Sequence, residues 1–416
     1  MLGKNPLYKE TFFSMHRLLT TFIFLLYTGN ISAEQSVSTT FLISLDGFKL
    51  DYLSKRNTPN LLKVAKKIDN VIRLKPIFPS VTFPNHVSMV TGRYPTEHGI
   101  LFNTMIDPTI KGEVFTLTNR NALNNPVWWQ NTDPIWVTLS KQRKTSFTLF
   151  WPGSEVLISG IRPKKWLPYD HSMSSMDRVK KLISWIENNK VGRPDFVTLY
   201  LSEVDSAGHR YGPDNKKMFS WIQSVDHSIG FLISELKRIK IFNSSNLVIV
   251  SDHGMDTLDP QKIVIAEDLL PAAFDVNWVW YGATFGFDLK LDNQIQILNY
   301  LKDNRGFTCW PRNKLPNHFH FKEHRRAPDI ICMMERGGYL KKKYSLFVPN
   351  GVHGYSPNLN SMHGILIADG PDIELKRENL SSVSIIEIYP LLTKLLNITP
   401  LENNSLGVLS NLVKNR

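Results

Sequence analysis

Cysteine is nearly missing. Cys309 and Cys332 are the only two in 416 residues, which excludes a disulfide framework and leaves room for at most one bridge after export. Neither lies in a Cys-x-x-Cys pair or beside a metal-type motif, so neither is read as catalytic. Long apolar runs are also missing: the stretch 18–27 cannot span roughly 30 Å of hydrocarbon, and no other segment reaches transmembrane length. The 23 glycines and 24 prolines follow no G-X-Y period, which removes collagen. Heptads and self-similar repeats are absent, which removes coiled coils and solenoids. Acidic residues are in deficit, 37 against 49 Lys+Arg, for a formal net charge of +12. With 42% hydrophobic and 21% charged residues, the composition is still that of a globular protein.

A positive balance suits nucleic acid, anionic surfaces or acidic small substrates. Here the basic residues are scattered apart from short clusters such as Lys341-Lys342-Lys343, so a solvated basic surface is expected and no specific nucleic-acid partner. Lys4, Lys9, His16 and Arg17 precede the apolar run, and a small-residue exit follows at Ile31-Ser32-Ala33. That is the layout of a secretory signal peptide over residues 1–33. The expected product is an extracytoplasmic protein, secreted or periplasmic, with residues 34–416 as its catalytic domain and no transmembrane segment. Oligomeric state is left open.

Three apolar, β-rich segments each run into an acidic residue: 40–45 into Asp46-Gly47, 196–201 towards Asp205, and 247–250 into Ser251-Asp252-His253-Gly254. Short continuous apolar runs mark strands buried on both faces of a parallel sheet. Amphipathic helical patterns occupy 60–68, 176–188 and 218–239. Strands alternating with helices predict an α/β layered fold whose site forms at the carboxyl ends of the strands. From about 256 to 353 strands shorten and aromatic and basic residues increase, which suggests an inserted or capping subdomain. A last strand, 364–368, and helix, 383–396, return to the core.

Asp205 and His209 stand four residues apart, close enough on a helix to share a cation. Asp252-His253 ends a strand, His363 precedes another, and Asp46 adds a third carboxylate. Three Asp and three His form a mixed N/O set suited to zinc or a similar divalent ion. Six ligands exceed one tetrahedral ion but suit two ions roughly 3.5–4 Å apart. Thr82, in Pro79-Ser80-Val81-Thr82-Phe83-Pro84-Asn85-His86, reads first as a helix cap. Beside a metal pair it becomes a candidate nucleophile, because coordination lowers the pKa of its hydroxyl and the helix end favours phosphate.

These segments resemble the nucleotide pyrophosphatase/phosphodiesterase family of the alkaline phosphatase superfamily. The resemblance lies in Leu45-Asp46-Gly47-Phe48, the Phe78–His86 segment, Thr91-Gly92-Arg93-Tyr94-Pro95, and Trp151-Pro152-Gly153-Ser154. It continues in Asp205-Ser206-Ala207-Gly208-His209, Ser251-Asp252-His253-Gly254, His353-Gly354-Tyr355 and Met362-His363-Gly364. It implies an alkaline-phosphatase-like layered sheet, mostly parallel, with helices on both faces and a smaller inserted subdomain. It also implies two zinc ions: Asp205, His209 and His363 on one, Asp46, Asp252, His253 and Thr82 on the other. Asn103 matches the family's phosphate-contacting Asn, and Phe83, Leu117 and Tyr169 match its nucleobase pocket. The implied reaction is hydrolysis of nucleotide phosphodiester or pyrophosphate bonds to 5′-nucleotides through a covalent threonine intermediate. Two alternatives remain: a phospholipase C-like hydrolase of choline phosphodiesters, and a non-catalytic basic polyanion-binding protein. Sulfatases of the same superfamily need a Cys/Ser-x-Pro-x-Arg segment, and Thr82-Phe83-Pro84-Asn85-His86 has no Arg.

Overall fold

In a computed structural model of the chain, the run Thr39–Leu45 forms a strand buried at every position. Its side chains alternate between two cores, Phe41, Ile43 and Leu45 entering one and Leu42 the other. The neighbouring strand Ser245–Val250 does the same, with Leu247 and Ile249 opposed to Val248 and Val250. A strand that is apolar on both faces needs cover on both. Helices Pro59–Ala65, Ser175–Glu187 and Met218–Arg238 cover one face; Thr82–Thr91, Ile135–Lys141 and Ile388–Leu395 cover the other. The structure describes residues 1, 3, 38–189, 192–303, 306–374 and 380–414. The expected signal peptide, apart from Met1 and Gly3, lies outside the described residues.

The sheet has eight strands in the order Ser382–Ser384, Ile72–Lys75, Gly364–Asp369, Ser245–Val250, Thr39–Leu45, Phe196–Leu201, Ser146–Leu149, Lys165–Trp166. Every adjacent pair is parallel except the two made by Gly364–Asp369, which runs against both neighbours. The sheet is therefore mixed but mostly parallel, and the three strands carrying Asp46, Asp205 and Asp252 lie side by side.

Three helix boundaries are close to the sequence expectation and one is not. The helix expected over 60–68 stops at Ala65, because Lys66 adopts φ +64. Ser174 caps the second, its side chain accepting from Asp177 N–H. The helix expected over 383–396 divides into a strand, Ser382–Ser384, a short 3-10 turn and the helix Ile388–Leu395. Pro390 tolerates only the first turn of a helix, where its missing N–H costs nothing, and the chain before it pairs with Ile72–Lys75 instead.

A third core belongs to the antiparallel sheet Val276–Trp280, Thr284–Leu289, Ile330–Met334, Phe307–Pro311, with helix Gln294–Lys302 packed on it. Cys309 and Cys332 face each other in register there and are joined by a disulfide. The same core takes in Tyr355 and Met362, so the chain leaving this sheet runs directly towards the carboxyl edge of the large one.

Candidate active site

The strand ends meet because glycine lets them. Asp46 N–H donates to Leu201 O at 2.9 Å, and Gly47 turns at φ +65, where a Cβ would lie 3.0 Å from Asp205 Cα. Asp205 and His209 lie in one helix, Glu203–Tyr211, and Oδ1 of the acid is 3.4 Å from Nε2 of the imidazole. His353 reaches the same carboxylate oxygen at 3.8 Å. On the other side, His253 Nε2 lies 3.1 Å from Asp252 Oδ2 and 3.6 Å from Asp46 Oδ1.

The tautomers follow from the backbone. Nδ1 of His209, His253 and His353 approaches the carbonyls of Gly351, Gly254 and Ser80 at 2.8, 2.8 and 2.9 Å. A carbonyl can only accept, so each Nδ1 holds the proton and each Nε2 turns a lone pair towards the carboxylates. Lone pair against carboxylate is repulsive unless a cation lies between. Asp46 Oδ1, Asp205 Oδ1 and Asp252 Oδ2 are buried with no hydrogen-bond partner among the described residues. Two ligand groups, Asp205–His209–His353 and Asp46–Asp205–His253, each keep their donor atoms within 4.8 Å of one another. Orphaned anionic oxygens beside neutral imidazoles are the donor set a zinc-type divalent cation requires.

Protonation responds to the same crowding. Burial, then the repulsion of Asp205, pushes Asp46 up; burial, then Asp46 and Asp205, pushes Asp252 up. Burial raises Asp205 to about 7. The imidazoles move the other way: burial and the adjacent His209 bring His353 down to about 3, and burial followed by His353 depresses His253. They are neutral and ready to coordinate. Tyr200 donates its hydroxyl to Asp46 Oδ2, fixing that ligand from behind.

Thr82 opens the helix Thr82–Thr91, whose N-cap is Val81. Its hydroxyl is therefore not a cap, and it points 3.3 Å from His253 Nε2. Asn103 Oδ1 accepts from Phe83 N–H at 3.0 Å, which holds the asparagine amide against the same helix end. A cavity of about 460 Å³ opens from Asp46, Thr82 and Asp205 onto an apolar wall of Phe83, Leu117, Trp129, Trp151 and Tyr169. Tyr169 is steadied by Ser202 Oγ at 3.2 Å and by the Phe150 ring edge.

The structure thus brings together Asp46, Thr82, Asp205, His209, Asp252 and His253, with Asn103 beside them and Phe83, Leu117 and Tyr169 lining the cavity. It does not bring His363 to the cluster. That ring gives Nε2 to the Pro357 carbonyl at 3.0 Å and has Lys75 and Arg73 as its charged neighbours, while His353 stands in the ligand group. A signal for His353 was present in its flanking glycines. A Cβ on Gly351 would meet Gly208 O at 2.4 Å, so this glycine is where the His353 loop presses onto the Asp205–His209 helix. Tyr200, missed entirely, hides in a strand as an ordinary β-former.

A family described as type I phosphodiesterase/nucleotide pyrophosphatase matches residues 40–356. A bis(5′-adenosyl)-triphosphatase of Xenopus laevis is 32% identical over 397 residues, covering 92% of this chain and 82% of its own length. Ectonucleotide pyrophosphatase/phosphodiesterase family member 5 of Homo sapiens is 33% identical over 390 residues, covering 90% and 80%. A murine structure of family member 5, an inactive threonine-to-alanine variant in complex with AMP, superposes with a TM-score of 0.83 at 30% identity, covering 91% of this chain and 100% of that one.

Proposed function

The chain belongs to the type I phosphodiesterase/nucleotide pyrophosphatase family of hydrolases, and on that premise we propose that it cleaves nucleotide phosphodiester or pyrophosphate bonds to release 5′-nucleotides, with Thr82 as nucleophile. The observation that carries this is the cavity: one wall holds Thr82 and the acids, the other the aromatic side chains. A phosphate seated on the first puts a nucleobase against the second, and AMP, with which the murine relative is in complex, carries both parts.

Two divalent cations, of the zinc class, would be held by Asp205, His209 and His353, and by Asp46, Asp252, His253 and Thr82. When bound, they supply a lowered hydroxyl pKa and neutralise phosphoryl charge. Thr82 Oγ1 forms the bond to phosphorus as the leaving oxygen departs; water then cleaves the threonine ester and restores the hydroxyl. Two displacements give retention at phosphorus. Asn103, held by Phe83 N–H through its oxygen, is left with its amide N–H groups to donate to a phosphoryl oxygen. A nucleobase is favoured over a choline head group because Glu155, the carboxylate beside the aromatic wall, is already paired with Arg120 at 3.2 Å, leaving no free acidic cage for a quaternary ammonium.

Export remains part of the proposal: the disulfide Cys309–Cys332 suits an oxidising compartment, and no helix among the described residues is long and apolar enough to cross a membrane. The test is Thr82→Ala assayed with a nitrophenyl nucleotide and with nitrophenyl phosphorylcholine. We expect a loss of at least about 10³-fold on the nucleotide, with zinc content kept. Full activity in that variant, or preference of the parent enzyme for the choline ester, overturns the reading.

A further inference from the structure

His86 is fully buried and stands outside both cation groups, yet it touches Thr82, Asp252 and the strand that ends at Asp46. It lies one turn after Thr82, and its Nδ1 is 2.9 Å from the Thr82 carbonyl. The carbonyl only accepts, so Nδ1 carries the proton and Nε2 takes the hydroxyl of Ser44 at 2.8 Å. Ser44 is two residues before Asp46 on the same strand. The same Nδ1 also faces Asp252 Oδ2 at 3.4 Å. Trp151, on the cavity wall, donates Nε1–H to the His86 carbonyl at 3.1 Å and meets the ring edge-on, centroids 4.9 Å apart.

The first turn of the Thr82 helix has other restraints, Phe83 N–H donating to Asn103 Oδ1 at 3.0 Å and Asn85 Nδ2 to the Val81 and Pro79 carbonyls at 2.8 and 3.0 Å, but none of these holds the Thr82 carbonyl itself. Any rotation of that turn moves Thr82 Oγ1 away from His253, and misplacement by about 1 Å is enough to cost about 10²-fold in rate. The geometry points to His86 as a positioning residue: its Nδ1–H donates to the Thr82 carbonyl while its Nε2 accepts from Ser44, so the ring holds the Thr82 turn against the Asp46 strand and sets where the nucleophile's oxygen stands. This rests on Thr82 being the nucleophile. The rival is a buried histidine that merely fills and stabilises the core.

Three variants separate the two. His86→Asn places an amide N–H where Nδ1–H was; His86→Gln places one nearer Ser44; His86→Leu keeps bulk alone. Each is measured for kcat and KM on a nitrophenyl nucleotide, for zinc content and for melting temperature. Positioning predicts kcat within about 5-fold of the parent for His86→Asn, and about 30- to 100-fold lower for His86→Gln and His86→Leu. KM stays within about 3-fold and zinc content is unchanged. Should the Leu variant fail to fold, the Asn/Gln contrast still decides. An active His86→Leu enzyme, or equal losses in all three that follow melting temperature or zinc content, overturns the assignment. Thr82→Ala in the same series keeps the two ideas apart: if it is dead while His86→Leu is active, only the role of His86 falls, whereas an active Thr82→Ala removes the nucleophile itself.

Discussion

Asp107 and Asp252 are equally hidden from water, 1% and 0% exposed, but their surroundings are opposite. Asp107 receives Arg325 Nε at 3.0 Å and Arg326 Nε at 2.6 Å; burial pushes its carboxyl up, the two guanidinium bonds outweigh that, and it is held well below the usual range. Asp252 has two other acids as neighbours and, among the described residues, no cationic side chain bonded to it, and its carboxyl is pushed up. A buried charge must be paired or must wait for a partner. The first site is closed by the chain itself. The second is left open, and that incompleteness is what a resident cation would use.

The sharpest way to break this contrast is at the histidines. His353→Ala removes a ligand from the open site, while His363→Ala removes a ring already bonded to Pro357. With zinc held limiting, the first should lose on the order of 10³–10⁴-fold in kcat/KM, about 4–5 kcal/mol, and the second less than about 10-fold. The reverse order in a side-by-side nitrophenyl nucleotide assay would put the expected ligand back at His363 and remove His353.

Much of this was legible in residues alone, for a definite reason. Asp46 and Asp252 follow apolar, β-rich runs, unbroken over 247–250 in the second case, and a parallel sheet has only one edge where such runs can end. The Asp205–His209 spacing needs only one helical turn. His363 looked equivalent because it, too, adjoins a strand end, though it precedes its strand, and Gly364–Asp369 runs antiparallel. Its first residue does reach the right edge, and the direction of a single ring, which no spacing encodes, sends it to Pro357. Thr82 was legible as a helix-end residue but not as uncapped. The cavity wall was legible only by resemblance, since Phe83, Leu117 and Tyr169 share no periodicity and are gathered by three separate loops and helices.

The closed site predicts an effect on stability rather than rate. Arg326 is nearly inaccessible and also donates to Gly99 O at 2.7 Å and Trp128 O at 2.8 Å. Arg326→Met leaves these carbonyls unpaired and Asp107 with Arg325 and Thr109. Denaturant unfolding should register a loss of about 3 kcal/mol, with zinc binding intact. A change below about 1 kcal/mol would mean that Arg325 and water replace it, and the two acidic sites would differ less than their geometry says.

The smallest effect is the most direct comparison, because one titration reads both sites. In chelated protein Asp46, Asp205 and Asp252 have folded pKa values above their unfolded ones, Asp205 at about 7. At these three carboxyls the folded state binds more protons than the unfolded state from about pH 4 to 7, which lowers stability as pH rises; the buried His86, His98 and His353, at about 4, 3 and 3 when folded, and the depressed His209 and His253 act with the opposite sign below about pH 6.5, where only the unfolded chain is protonated. Asp107 has the opposite sign: its depressed carboxyl stabilises the fold above about pH 4, the unfolded value, and that contribution disappears as pH drops further. Between pH 5 and 7.5 Asp107 is therefore silent, and the buried histidines outnumber the three carboxyls. Calorimetry of the chelated protein should show the melting temperature rising by about 2 °C from pH 5 to 6.5, and saturating zinc should steepen that rise, since the bound cation favours ionised carboxylates and neutral imidazoles. A chelated protein whose melting temperature falls there would mean that the carboxyls outweigh the histidines, and a slope that zinc leaves unchanged would mean that no cation meets either group.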